Sequence, residues 1–133
     1  MIISCILIFL AAICDAIMDT SVDHYSTSIF NTPKLNAKWW NGASSWMNKY
    51  INGNPNSGLV KWYFGLNKPV QLTDAFHFFK MWMIIFICGA IAFYHPITAL
   101  VQYGWFIYPI TILVLGTIWN LTFSLFYNKI LIK

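Results

Sequence analysis

Three long apolar stretches, separated by more polar segments, divide the chain. They cover about residues 1–24, 73–94 and 104–127. Each is close to the roughly 20 mostly apolar residues that a helix needs to cross the hydrocarbon core of a bilayer. The first stretch has no basic residues before it and no A-x-A cleavage site after it, so we expect a retained helix rather than a signal peptide. The pattern predicts an all-α integral membrane protein, with residues 1–133 forming a single membrane domain of three transmembrane helices.

The main polar segment lies between the first two apolar stretches, at about residues 25–72. It is too rich in aromatic residues for a disordered linker. Tryptophan favours the headgroup level of a membrane. We therefore expect this segment to form an interfacial cap on the bilayer surface, anchored by Trp39, Trp40, Trp46 and Trp62.

Composition supports the membrane interpretation. Hydrophobic residues make up 59% of the chain and charged residues only 9%, whereas an ordinary soluble domain carries roughly 25% charged residues. This excludes a water-soluble enzyme. The basic residues are eight lysines, with no arginine to form a two-pronged contact with phosphate. We therefore interpret the net charge of +4 as a feature that orients the protein in the membrane, and we expect no nucleic-acid partner.

The lysines predict an orientation. Most of them lie in the interfacial segment or after the third apolar stretch, whereas the first residues and the connection at 95–103 contain none. With three crossings, the interfacial segment and the last residues lie on the same side. Lysine-rich loops favour the cytoplasmic side, so the sequence predicts an N-out, C-in protein of the bacterial inner membrane or of a virion membrane.

All four carboxylate side chains could meet at this lysine-rich side. Asp15, Asp19 and Asp23 are spaced four residues apart, which places them along one face of a helix. Asp74 and His77 are three residues apart at the start of the second apolar stretch, again on one face. The predicted topology brings the two groups to the same side of the membrane.

A carboxylate in or near the hydrocarbon costs several kcal/mol unless a partner compensates it. Aspartate and histidine on neighbouring helices are the usual ligands of metal sites in helical bundles. We therefore predict a site for a divalent metal (Zn, Mn or Fe). Such an ion would activate water or polarise a phosphoryl or acyl oxygen, which suggests a hydrolase acting on a lipid or other amphiphile. The candidate metal ligands are Asp15, Asp19, Asp23, Asp74 and His77, and the candidate catalytic residues are Lys80, as the holder of an anionic group, and His24.

Two simpler interpretations of the same residues stay open. Asp15 or Asp19 could pair with Lys80 in a structural network. Alternatively, the acids are unrelated, with Asp23 and Asp74 acting only at helix ends, where a carboxylate is favourable.

Three segments of the chain carry a resemblance to a known group of sequences. They are DAIMDTSVDHYSTSIF (15–30), WWNGASSWMNKYINGNPNSG (39–58) and LTDAFHFFK (72–80). Together they resemble an uncharacterised family of small integral membrane proteins of AT-rich bacteria and their phages. That family often has Pro where this chain has Gly42, and a second His where it has Asp23. The resemblance implies no activity, only that one signature contains Asp19, His24, Trp46, Asn48, Lys49, Asp74 and His77.

Two functional classes follow from the sequence. The first is a membrane-embedded, metal-dependent hydrolase. The second is a non-catalytic membrane protein: an accessory subunit of a complex, a virion membrane protein or a holin-like phage protein. In either class the bilayer is a partner. Because three helices enclose little space, a homo-oligomer or a membrane-complex partner is also expected.

Overall fold

Three long α-helices form the framework of the protein. The computed structural model describes residues 1–58, 69–96 and 98–133. The long helices are α1 (Ile2–Asp23), α4 (Ala75–Ala92) and α5 (Ile107–Leu125). All three are long and apolar enough to cross a membrane. This confirms the predicted all-α fold with three candidate spans, and the protein is an integral membrane protein.

Shorter helical turns connect the long helices. Two single-turn α-helices, α2 (Ala37–Trp40) and α3 (Gly42–Ser45), follow α1, and a π-helical turn at Phe126–Ile130 ends α5. Residues 59–68 of the predicted interfacial segment, including Trp62, lie outside the described residues. The remaining turns are 3₁₀ helices: Tyr25–Thr27, Trp46–Lys49, Ile51–Gly53, Pro55–Ser57, Val70–Leu72 and Thr98–Phe106.

The chain ends show how the long helices run. The backbone nitrogen of Met1, before α1, donates a 2.7 Å hydrogen bond to the carbonyl of His95, after α4, so α1 and α4 are antiparallel. Beyond the other end of α1, the Ile29 amide donates to the Leu131 carbonyl at 2.9 Å. The end of α1, the start of α4 and the end of α5 therefore lie together. We call this end of the bundle the lysine-rich end.

Helix α1 is the central helix of the bundle, packed against both α4 and α5. Its buried side chains are mostly small, including Ala11, Ala12 and Ala16, which lets the neighbouring helices approach closely. A Cβ atom on Gly89 of α4 would lie 3.2 Å from Leu7 Cδ1. By contrast, many large apolar side chains of α4 and α5 are exposed, as expected of surfaces in contact with lipid.

A small aromatic core closes the lysine-rich end. Ala16, Phe30 and Leu131 are buried together, and Phe126 of the π-helical turn packs against them. The ring of Trp40 in α2 stacks on Phe30 with a centroid distance of 4.2 Å and an interplanar angle of 8°. This core attaches the segment after α1, and the last residues of the chain, to the membrane helices.

The first residue of α3 touches the backbone of α1. A Cβ atom built on Gly42 would lie 2.8 Å from the Ser21 carbonyl oxygen and 2.8 Å from Val22 Cα. These distances are shorter than real Cβ contacts, so only glycine permits this approach. As a result, α3 and the turn that follows it lie beside the end of α1 and the start of α4.

Candidate functional site

Asp74 is the N-cap residue of helix α4 and the most enclosed acid of the protein. Its residue exposure is 0%, and its backbone is extended, as is typical of an N-cap residue. Its Oδ1 accepts a 2.9 Å hydrogen bond from the backbone N–H of His77. A buried carboxylate needs such donors, because an unpaired charge inside a protein is very costly. The N-cap therefore fixes this carboxylate at one position.

The second carboxylate oxygen of Asp74 holds the side chain of His77. Nδ1 of the imidazole lies 2.7 Å from Oδ2. The Thr73 hydroxyl lies 3.1 Å from the same oxygen and shares its single proton with the Val70 carbonyl at 2.7 Å. An ionised carboxylate only accepts hydrogen bonds, so the proton of this contact belongs to Nδ1. The neutral imidazole then has its lone pair on Nε2, which makes no hydrogen bond within the described part of the chain.

His77 lines a cleft of 310 Å³ at the lysine-rich end. The side chain of His77 is 24% exposed, so its ring is reachable while its carboxylate partner is not. The cleft lies between the end of α1, the segment 42–49 and the first turn of α4. Its walls combine apolar and polar side chains: Val22, Gly42, Ser45, Trp46, Lys49, Asp74, Phe76 and His77.

Lys49 brings a positive charge to this cleft. Its Nζ lies 5.8 Å from the ring centroid of Trp46 and 5.3 Å from that of Tyr50. Both distances fall within the range in which an ammonium group is attracted to an aromatic face. The two rings restrict where the flexible lysine can point, and Lys49 forms no salt bridge with a carboxylate in the described residues.

Asn48 connects the loop that carries Lys49 to the start of α4. Its side-chain amide donates to the Thr73 carbonyl at 3.1 Å and to the Lys38 carbonyl at 2.5 Å. Thr73 directly precedes the N-cap Asp74, and its hydroxyl also contacts Asp74. The Asn48 amide therefore connects the loop to the N-terminal end of α4. The relative positions of Lys49 and His77 therefore depend on Asn48.

The other three acids lie along α1, which continues through all of them to Asp23. Asp15 and Asp19 are partly buried and Asp23 is exposed. None of them forms a salt bridge in the described part of the chain. Val22, rather than an aspartate, is the residue of α1 that lines the cleft.

Two further predicted residues also lie outside the cleft. The His24 ring packs edge-on against Tyr127 at a centroid distance of 5.4 Å, near the end of α5. The Lys80 Nζ lies 5.6 Å from the centroid of the Phe76 ring, and Lys80 is exposed.

Of the predicted metal ligands, the structure brings Asp74 and His77 into direct contact. Among the described residues, no three His, Cys, Asp or Glu side chains come together in a way that could hold a metal ion. The divalent metal therefore stays a prediction of the sequence.

The sequence did not predict that Ser45, Trp46 and Lys49 belong to the site. Trp46 and Lys49 do belong to the signature of the family that the chain resembles, but that signature assigns no function to either residue. Comparisons of the chain with family models, curated proteins and solved structures found no match. The geometry of the cleft is therefore the main indication of function.

Proposed function

We propose that this protein is a membrane-integral hydrolase that acts on the polar end of a lipid or other amphiphile. The observation that carries the proposal is the 2.7 Å contact between His77 Nδ1 and a fully buried Asp74 carboxylate at the edge of a cleft. A carboxylate that orients a histidine in this way prepares Nε2 to accept a proton.

The position of the cleft favours an amphiphilic substrate. Asp74 caps a membrane-spanning helix and Val22 is the penultimate residue of another, which supports a cleft near the boundary between the hydrocarbon core and the headgroups. A lipid could place its polar end against His77 while its chains remain in the bilayer. If the lysine-rich end is cytoplasmic, as the positive-inside rule indicates, the substrate comes from the inner leaflet.

In the proposed reaction His77 acts as the general base. Nε2 takes a proton from water, and the oxygen of that water attacks the ester carbon or phosphorus. The same imidazole then returns the proton to the departing alkoxide, so an acid and an alcohol are released. Asp74 keeps the proton on Nδ1 throughout and stabilises the transient imidazolium. Positioned proton transfer of this kind contributes about 10²–10⁴-fold to a rate.

A divalent metal on Nε2 would be an alternative use of the same pair, because it would occupy the lone pair that the general base needs. Metal-bound histidines commonly donate their second ring N–H to a carboxylate, which is the arrangement of His77 and Asp74. Elemental analysis of the purified protein beside an Asp74→Asn/His77→Ala variant tests this. Near-stoichiometric metal that the variant loses would support a metal-dependent reaction at this site.

Turnover is tested with the full chain reconstituted in liposomes that contain both neutral and anionic ester lipids, with products followed by mass spectrometry. We expect wild-type protein to release hydrolysis products and His77→Gln to lose at least about 100-fold in rate. The matched control is His95→Gln, because His95 is exposed beyond the other end of α4.

Equal rates in all three proteins would overturn the enzyme proposal. So would an absence of products from well-folded wild type across the lipid panel. Either result would favour the non-catalytic alternative, a structural or accessory membrane protein, in which Asp74 serves only as a helix cap.

A further inference from the structure

We propose that the cleft binds a phosphate group, with Lys49 as the anion-binding residue and His77 Nε2 as a second contact. This inference rests on the proposed function in that it names the substrate class of the same site. It makes a separate claim, however, because a phosphate can bind whether or not it is hydrolysed.

The charges around the cleft favour an anion. Lys49 and Asp74 are the formally charged residues among those lining it, and His77 is the third titratable group. Asp74 is fully buried, and its two oxygens already contact the backbone N–H and the ring Nδ1 of His77. Its negative charge is thus compensated by contacts with the first turn of α4. The lysine charge, by contrast, has no carboxylate partner in the described part of the molecule.

The aromatic rings place that charge at a defined point. Trp46 and Tyr50 are oriented edge to face, with centroids 5.9 Å apart and planes at 89°, and the ammonium group of Lys49 lies within 6 Å of both centroids. The indole N–H of Trp46 is already bonded to the Ala43 carbonyl at 3.1 Å. The indole therefore contributes an apolar face, and the lysine supplies the polar contact.

Phosphate is the anion that best fits these surroundings. Its ionised oxygens accept hydrogen bonds from the Lys49 ammonium, and the P–OH group of its monoanion can donate to the lone pair on His77 Nε2, so one group can meet both residues at once. The walls formed by Val22, Trp46 and Phe76 are apolar, which suits the glycerol or chain portion next to a lipid phosphate. Lys80, the lysine that the sequence predicts for this role, does not line the cleft.

The three histidines of the chain provide a direct test. Protein labelled with ¹⁵N-histidine in a maltoside micelle, which contains no phosphate, gives imidazole signals for His24, His77 and His95 that His→Gln variants assign. The probes are phosphatidic acid, diacylglycerol, which lacks the phosphate, and inorganic phosphate. We expect phosphatidic acid to shift the His77 signal in a saturable manner and diacylglycerol to leave it unchanged.

The inorganic phosphate arm distinguishes two sources of the group. A saturable shift with inorganic phosphate would show that the phosphate suffices, whereas a shift with phosphatidic acid alone would show that the lipid chains are also required. Both results support the inference. If neither phosphate-containing probe shifts His77, the inference is overturned.

Lysine variants locate the anion contact. Lys49→Gln should weaken phosphatidic acid binding about tenfold, the usual worth of a charge-assisted hydrogen bond, and Lys49→Arg should retain most of it. Lys80→Gln and Lys129→Gln remove the same charge outside the cleft and should change affinity by less than about twofold. Unchanged His24 and His95 signals in Lys49→Gln would show that the fold is intact.

A loss of affinity in Lys80→Gln or Lys129→Gln as large as in Lys49→Gln would overturn the inference in favour of general attraction to a basic surface. The two proposals can also fail separately. Hydrolysis of neutral esters without phosphate binding would overturn the phosphate-binding inference and support the hydrolase proposal. Phosphate binding without turnover would support the phosphate-binding inference and overturn the hydrolase proposal.

Discussion

Oδ2 of Asp74 lies 2.7 Å from Nδ1 of His77, while Oδ1 of the same carboxylate accepts the backbone N–H of that histidine. One side chain thus fixes both the first turn of α4 and the orientation of the imidazole. The two tasks have different chemical requirements, because a helix cap needs only an acceptor oxygen whereas the imidazole contact uses a carboxylate. Substitutions at Asp74 can separate them.

Asp74→Asn should fold and lose function, whereas Asp74→Ala should lose both stability and function. Asparagine is about as good an N-cap as aspartate, and replacing either with alanine costs about 0.5–2 kcal/mol. We therefore expect Asn to leave the unfolding midpoint near that of wild type and to shift the His77 ¹⁵N signals. Thermal unfolding in detergent and NMR of the histidines measure the two effects. Full turnover by Asp74→Asn would contradict the role given to the carboxylate.

Gly42→Ala should displace α3 from α1 and weaken the cleft. The added methyl group would lie 2.8 Å from the Ser21 carbonyl and from Val22 Cα, and overpacking of this kind costs about 1–3 kcal/mol. Gly116→Ala is the matched control, because nothing lies within 4 Å of the position its Cβ would take. We expect a lower unfolding temperature only for Gly42→Ala, together with weaker phosphatidic acid binding. Equal behaviour of the two variants would show that α3 does not depend on this contact.

The sequence predicts the framework well because hydropathy and helical period are local properties. The three apolar stretches become the three long helices. Asp74 and His77 meet across their spacing of three residues, although by capping rather than on a shared helix face, because Asp74 precedes α4 with an extended backbone and its carboxylate accepts from His77. Both features depend on residues that are neighbours along the chain. Neither requires knowledge of how separate elements pack.

The remaining parts of the site depend on tertiary packing. Helical period places Asp15, Asp19 and Asp23 on one stripe, but it does not reveal how α1 is rotated toward its neighbours, and the residue that reaches the cleft is Val22. Lys49 enters the cleft because Gly42 lets α3 touch α1. No periodicity in a segment of single-turn helices indicates that contact.

Leu131→Ala should destabilise the lysine-rich end, whereas Leu125→Ala should have little effect. Leu131 is 4% exposed and packs with Ala16 and Phe30, while Leu125 is 51% exposed at the end of α5. Removing a buried leucine side chain costs about 2–5 kcal/mol. Unfolding of both variants in the same detergent measures the difference. A similar loss in both would indicate that the aromatic core contributes little beyond contact with lipid or detergent.

Asp19→Asn should leave the protein equally stable or raise its stability. Asp19 is partly buried at the end of a membrane helix and has no salt bridge within the described residues, and a charge at the centre of a spanning helix costs about 2.5–3.5 kcal/mol on insertion scales. Near the helix end the gain should be smaller than this. Asp23→Asn is the control, because Asp23 is exposed and its neutralisation should change little. Thermal unfolding and metal content are measured on the same samples. If Asp19→Asn is destabilised and also loses bound metal, Asp19 is supported as a metal ligand. If it gains stability and its metal content is unchanged, the chemistry of the site is assigned to Asp74 and His77.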